Sequence, residues 1–214
     1  MINHAIKDQV AEATRIFFEK GYSPSKDGGD LSIKDAENDL VYICPKPGRN
    51  VKITNWGVIR ADDIVVIDMD GNIVASDNHI LPTIEYKMHL AIYKSRPEIN
   101  AIIHAHAANS GVFAIAGLDI PILTAEMYQI GGSVVCAEFG KAGSDDLAEK
   151  MIKALGKDKR GALLKNHGTV ALGTDMDDAF RCADLIEKGA RIAILANILG
   201  DPQEIRCEDI FSSR

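Results

Sequence analysis

The chain has 214 residues, 46% of them hydrophobic, which is enough to bury a sizeable core and suits one large α/β domain better than two small ones. Its net charge of −7 argues against sequence-independent nucleic-acid binding, which needs clustered Lys and Arg to neutralise phosphates. No apolar run approaches the roughly 20 residues that span a bilayer, Asn3, His4, Lys7 and Asp8 leave no signal-peptide core, and Cys44, Cys136, Cys182 and Cys207 form no Cys-x-x-Cys pair; the expectation is a cytoplasmic protein with reduced thiols and no membrane partner.

Asn3 is placed to cap a first helix whose apolar face is Ile6, Val10, Ala13 and Phe17, and Gly21 to end it. Turn formers at 23–30 make a loop that exposes backbone N–H groups, and short strands are predicted at 31–33, 41–44, 64–67 and 73–75. Asp70-Gly71-Asn72 reads as the hairpin turn joining the last two. Thr83 reads as the N-cap of a helix running to about Arg96, where Pro97 stops it. Glu85 then falls in the first turn, where the positive end of the helix should keep its carboxylate ionised. After an apolar, strand-like run at 101–107, Asn109 is a cap for a short helix through Ala116, and Ser144 for another bearing Leu147, Met151, Ile152 and Leu155. Two apolar runs, 163–164 and 169–172, flank His167-Gly168. The last helix opens on a capping-box-like pair, Thr174 and Asp177, carries the stripe Phe180, Ala183, Ile186, Ala190, Ile194 and Ile198, and ends near Gly200.

On a strand at 101–107, His104 and His106 share a face, because successive side chains alternate. As plain core residues, two such imidazoles would need two buried hydrogen-bond partners, so metal ligation is the stronger reading. Candidates for the remaining ligands sit beside strand or helix ends: His167, next to a glycine between two apolar runs, and Glu85. Three neutral imidazoles and one carboxylate suit Zn²⁺, with Mn²⁺ the alternative. His4, His79 and His89 read as solvated or simply hydrogen-bonded.

Four segments carry a family resemblance: Gly28-Gly29-Asp30-Leu31-Ser32, Leu81-Pro82-Thr83-Ile84-Glu85, His104-Ala105-His106 and Asn166-His167-Gly168. In their order and spacing, over nearly its whole length, the chain resembles the class II aldolase/adducin family. The resemblance implies a single-domain, three-layer fold in which helices flank a central, mostly antiparallel sheet. It implies zinc on His104, His106 and His167, with Glu85 a ligand in the resting site and the catalytic acid/base. It also implies a homotetrameric ring in which a neighbouring subunit assists at the aldehyde oxygen, with Tyr128 and Glu126 both candidates.

The implied reaction cleaves a small ketose 1-phosphate to dihydroxyacetone phosphate and an aldehyde, the metal acting as Lewis acid for the enediolate left behind. Lys165, beside His167, is then a flank rather than a Schiff-base nucleophile. Decarboxylation of a 3-keto acid, dehydration of a ketose phosphate and epimerisation of a ketopentose phosphate would use the same metal, whereas a non-catalytic adducin-like module would not need it. The headgroup pocket departs from the family. Where those aldolases carry Gly-Asn, Ser-Ser and Thr-Pro-Thr-Gly, this chain has Gly29-Asp30, Thr83-Ile84 and Cys44-Pro45-Lys46-Pro47-Gly48. Asp30 puts a carboxylate where an amide would donate, Ile84 removes a hydroxyl, and Lys46 or Lys26 could compensate. The expectation is a phosphate site weakened, rebuilt or absent, with Asp30 either facing it or turned outward to cap a local turn.

Overall fold

The computed structural model describes residues 2–24, 28–47 and 55–206. In chain order the elements are α1 (His4–Glu19), β1 (Asp30–Asp35), β2 (Leu40–Ile43), β3 (Val65–Asp68), β4 (Ile73–Ala75), α2 (Tyr86–Ser95), β5 (Ala101–Ala105), α3 (Ala108–Ala116), β6 (Val135–Ala137), α4 (Asp145–Leu155), β7 (Gly161–Leu164), β8 (Gly168–Gly173) and α5 (Met176–Leu199), with short 3₁₀ turns between them. The strands form one sheet in the order β4-β3-β2-β1-β5-β8-β7-β6, and every neighbouring pair is antiparallel except β6 with β7.

Alternation along the strands divides the interior into two cores. Leu31, Tyr42, Val66, Ile103 and Ala171 pack with Phe17 of α1, Ala114 of α3 and Ile186 of α5. Their sequence neighbours Val41, Ile43, Ile67, Ile102 and Leu172 pack on the other side with Met88 and Ile92 of α2 and Met151 of α4. The result is the expected three-layer α/β arrangement, with both sheet faces covered. Each fully buried aliphatic side chain contributes on the order of 2 kcal/mol to this packing.

Local signals set most element ends. Asn3 Oδ1 accepts the Ala5 N–H at 3.1 Å, Ser144 Oγ accepts the Leu147 N–H at 3.1 Å, and Gly71 turns the β3–β4 hairpin at φ +86°. Three caps differ from expectation. Helix α5 begins one residue later, capped by Asp175, while Asp178 reaches back to the Thr174 N–H. Helix α3 is capped by Glu187 of α5, whose carboxylate accepts the Asn109 and Ser110 N–H groups at 2.8 and 2.9 Å; Asn109 itself lies inside the helix. A carboxylate at that end satisfies two orphan donors and complements the helix dipole. Helix α2 starts at Tyr86, so Glu85 occupies the cap position instead of the first turn. Strand β6 was not anticipated, and the stripe on α5 leaves the core in its last turn, where Ile198 is 74% exposed.

Among the described residues no helix is long and apolar enough to cross a membrane. Cys44, Cys136 and Cys182 are free thiols, and Cys207 lies outside the described residues. Strand β5 is hydrogen-bonded on both sides, by β1 and β8, and its His104 lies directly across from Asp30. Both therefore face the layer that holds α2 and α4.

Candidate metal centre

The end of β5 is fixed by its surroundings. The strand stops at Ala105, and the His106 N–H is tied to the Tyr22 carbonyl at 2.9 Å, which holds the second imidazole beside the first. His167 arrives on the three-residue turn between β7 and β8, which close on each other at Leu164 and Gly168. Asn166 takes the left-handed conformation there, φ +57°, which asparagine tolerates better than most residues. Gly168 permits the final approach: a Cβ at this position would lie 2.3 Å from the Ala105 carbonyl oxygen and 2.9 Å from His106 Cδ2.

Ligand atoms of His104, His106 and His167 lie within 4.8 Å of one another, and the three ring centroids are 4.8 to 5.1 Å apart. His104 Nδ1 lies 3.0 Å from the Thr169 carbonyl oxygen, which can only accept, so this nitrogen carries the proton and Nε2 presents its lone pair. That lone pair is aimed at His106 Nε2, 3.1 Å away. Burial lowers all three imidazoles to about 4, helped by their mutual proximity and opposed by the charge of Asp30, so they are neutral at pH 7. Converging neutral nitrogens, one already held in the ligating tautomer, are what a divalent cation requires; the residues fit a metal.

Glu85 stands beside this cluster. Its Oε1 is 4.0 Å from His167 Nε2, and its Oε2 accepts the Gly143 N–H at 3.3 Å. Burial and the charge of Asp30 push its pKa up to about 7, against the opposite pull of the Gly143 N–H and His89. In the metal-free protein burial thus works against the ionised form that the helix end was expected to favour, and a cation on the imidazoles would pull the value back down.

Behind Glu85 runs a buried polar chain. Thr83 Oγ1 donates to Asp30 Oδ2 at 2.5 Å and accepts the Glu85 N–H at 3.3 Å. His89 Nε2 lies 2.9 Å from Asp30 Oδ1, off the line of a good hydrogen bond. His89 Nδ1 meets Ser32 Oγ at 2.8 Å, and that hydroxyl also meets the Tyr93 hydroxyl at 2.8 Å. Burial alone would raise the Asp30 carboxyl, but His89, His104 and Thr83 hold it at about 2. The set contains a Ser–His–Asp sequence of contacts, yet Ser32 is completely buried and cannot meet a substrate. Its role is to dock α2, and with it Glu85, onto β1. Neither Ser32, His89 nor Tyr93 was expected in this role, although Glu85, His89 and Tyr93 recur every four residues on one helix face.

Gly29, Asp30, Lys46, Thr83, Ile84 and Glu85 line one pocket of about 260 Å³ together with the three histidines. Asp30 faces this pocket and is not turned outward. Gly29, at φ +73°, lets the loop lie against β5, since a Cβ would meet the His104 carbonyl oxygen at 2.5 Å. Within one chain Tyr128 and Glu126 are elsewhere: the Tyr128 hydroxyl donates to the Ile205 carbonyl, and Glu126 pairs with Lys188 at 2.6 Å. Lys26 and Gly48 lie outside the described residues. A larger groove of about 800 Å³, between α1 and α5, is lined by no histidine.

Residues 8–194 match the family described as Class II Aldolase and Adducin N-terminal domain. The chain belongs to the class II aldolase and adducin family. It is 33% identical over 189 residues to the L-fuculose phosphate aldolase of Methanocaldococcus jannaschii, covering 88% of this chain and 96% of that protein. It is 30% identical over 176 residues to a 5-deoxy-D-ribulose 1-phosphate aldolase of Bacillus thuringiensis serovar kurstaki, covering 82% and 78%. A solved L-fuculose 1-phosphate aldolase superposes with a TM-score of 0.90 at 31% identity, covering 98% of this chain and 94% of that one. Family membership and the three converging imidazoles together mark the chain as a metal-dependent enzyme.

Proposed function

We propose that this class II aldolase homologue is a zinc-dependent aldehyde-lyase, with Mn²⁺ the alternative ion, that splits a small ketose or ketose 1-phosphate into a three-carbon ketone fragment and an aldehyde. One observation carries the reading: three neutral imidazoles and a carboxyl, Glu85, face one pocket. The names of the three relatives given above, each an aldolase of a sugar phosphate, support it.

A divalent ion held by His104, His106 and His167 would supply Lewis acidity at the ketose carbonyl. The chain supplies the rest. The Gly143 N–H holds Glu85 Oε2, which leaves Oε1 as the oxygen nearer the imidazoles and the proton-transfer atom. From its place beside the imidazoles, Glu85 can return a proton to the three-carbon fragment in cleavage and remove one in condensation. Thr83 and Asp30 fix the start of the helix that carries it. Assistance at the aldehyde oxygen comes from Tyr128 or Glu126 of a neighbouring copy, in a cytoplasmic homotetramer. The exposed apolar side chains of Val112, Ile115 and Leu118 at α3, and of Leu195, Ile198 and Leu199 on α5, support a covered surface there.

The test is a product screen of ketoses, ketose phosphates and 3-keto acids with zinc-loaded enzyme and a Glu85→Gln control. Release of dihydroxyacetone or its phosphate, lost in the control, is the expected result. Carbon dioxide release from a 3-keto acid would contradict it and assign a decarboxylase.

A further inference from the structure

One part of the pocket lining is built by Asp30, Thr83 and Ile84, and Lys46 also lines the pocket. A site for a phosphate dianion collects N–H groups, hydroxyl protons and cations that converge on its oxygens. This wall does the reverse. Asp30 is buried, 3% exposed, and sits on the sheet face directly across from His104. The Thr83 hydroxyl proton is committed to Asp30, so Thr83 offers the pocket a lone pair and no proton. Ile84, 47% exposed, presents hydrocarbon. Among the described lining residues Lys46 is the sole Lys or Arg, against the two carboxylates of Asp30 and Glu85, and its side chain is solvent-exposed.

We propose that Asp30, Thr83 and Ile84 select a neutral, hydroxyl-bearing end on the substrate and disfavour a phosphate, so that the three-carbon fragment released is dihydroxyacetone and not its phosphate. This rests on the aldolase reading above and departs from the sugar phosphates named for the relatives. A hydroxyl can donate to the remaining lone pair of Thr83 Oγ1 or of Asp30 Oδ2, the two atoms paired at the pocket wall. A phosphate placed a few ångströms from the Asp30 carboxylate loses roughly tenfold or more in affinity by repulsion in a partly dry site.

Calorimetric titration of the zinc-loaded chain with dihydroxyacetone and with dihydroxyacetone phosphate measures the discrimination directly. In the wild-type protein the phosphate should bring no gain in affinity. Asp30→Asn keeps an acceptor for Thr83 while removing the charge, and should raise the ratio of phosphate to alcohol affinity by about tenfold or more. Ile84→Ser, which adds a donor without touching the buried chain, should raise the same ratio by about threefold or more. Wild-type protein that binds dihydroxyacetone phosphate ten times more tightly than dihydroxyacetone, or a ratio unmoved in both variants, would overturn the proposal and leave the aldolase reading intact. Failure of both fragments to bind the zinc-loaded protein would overturn the aldolase reading and this proposal together.

Discussion

His104 and His89 are both fully buried imidazoles in the same layer, and the protein uses them in opposite ways. Each has its Nδ1 engaged, His104 with the Thr169 carbonyl and His89 with the Ser32 hydroxyl. The difference lies in what meets Nε2. For His89 it is the Asp30 carboxylate, a complementary partner that makes the imidazole part of the frame. For His104 it is another imidazole nitrogen at 3.1 Å, from a ring that converges with His167 on the same point, and three such nitrogens suit a cation. Burial and histidine identity alone do not separate a ligand from a scaffold residue; the partner of the second nitrogen does.

Breaking the first arrangement should have the largest catalytic effect. His167→Ala removes one of three ligands and is expected to lower kcat/KM by about 10³-fold or more, roughly 4 kcal/mol of transition-state stabilisation, measured on the substrate that the product screen identifies. Breaking the second should act on folding. His89→Ala leaves the buried Asp30 carboxylate without the imidazole that faces it and is expected to destabilise the protein by about 3 kcal/mol in urea unfolding, with metal binding at native stoichiometry below the transition. A smaller effect is expected from Gly168→Ala, whose Cβ would press on the Ala105 carbonyl and the His106 ring. It should weaken metal binding by about 10- to 100-fold, measured by competition with a chelator, with the protein still folded.

The two regions also differ in pH response. Each cluster imidazole sits at about 4, below the ordinary value of 6.5, so the unfolded chain takes up protons first as pH falls. The imidazole contribution to the stability of the metal-free protein should therefore be fully present above pH 6.5 and be lost progressively towards pH 4, while Glu85, held at about 7 against an ordinary 4.5, acts in the opposite sense over the same range, so the loss, of order 1 kcal/mol or more, is read in a Glu85→Gln background. Asp30, held at about 2 against an ordinary 3.8, adds stability above 3.8 that is lost only as pH falls towards 2. A metal-free Glu85→Gln protein whose urea midpoint is flat between pH 7 and 4 would break this part of the comparison.

Much of this was legible in the sequence, and for identifiable reasons. The paired histidines were readable from their two-residue spacing at the end of an apolar run, although the strand stops at Ala105 and His106 is held by the Tyr22 carbonyl instead; His167 was readable because a glycine follows it between two apolar runs. Helices α1 and α4 carried their own caps in Asn3 and Ser144, so their starts followed from local chemistry. What escaped reading depends on contacts distant in sequence. The cap on α3 comes from Glu187, 78 residues beyond Asn109. Strand β6 has only three residues, sits at the sheet edge and is recognisable only by its parallel pairing to β7. The roles of Ser32 and His89 emerge only when β1 and α2 are packed together. Asp30 stood in the sequence as a departure from the family pattern, but its direction was undetermined until Thr83 and His89 were placed on either side of it.

The central claim is that the cluster of residues 104, 106 and 167 holds a divalent ion while residue 89 belongs to the frame. Metal content per chain, determined after purification without chelator, tests it most directly. About one zinc or manganese per wild-type chain, lost in His167→Ala and kept in His89→Ala, is the predicted result. A wild-type chain carrying a small fraction of one ion, or a His167→Ala chain that retains its metal in full, would contradict it.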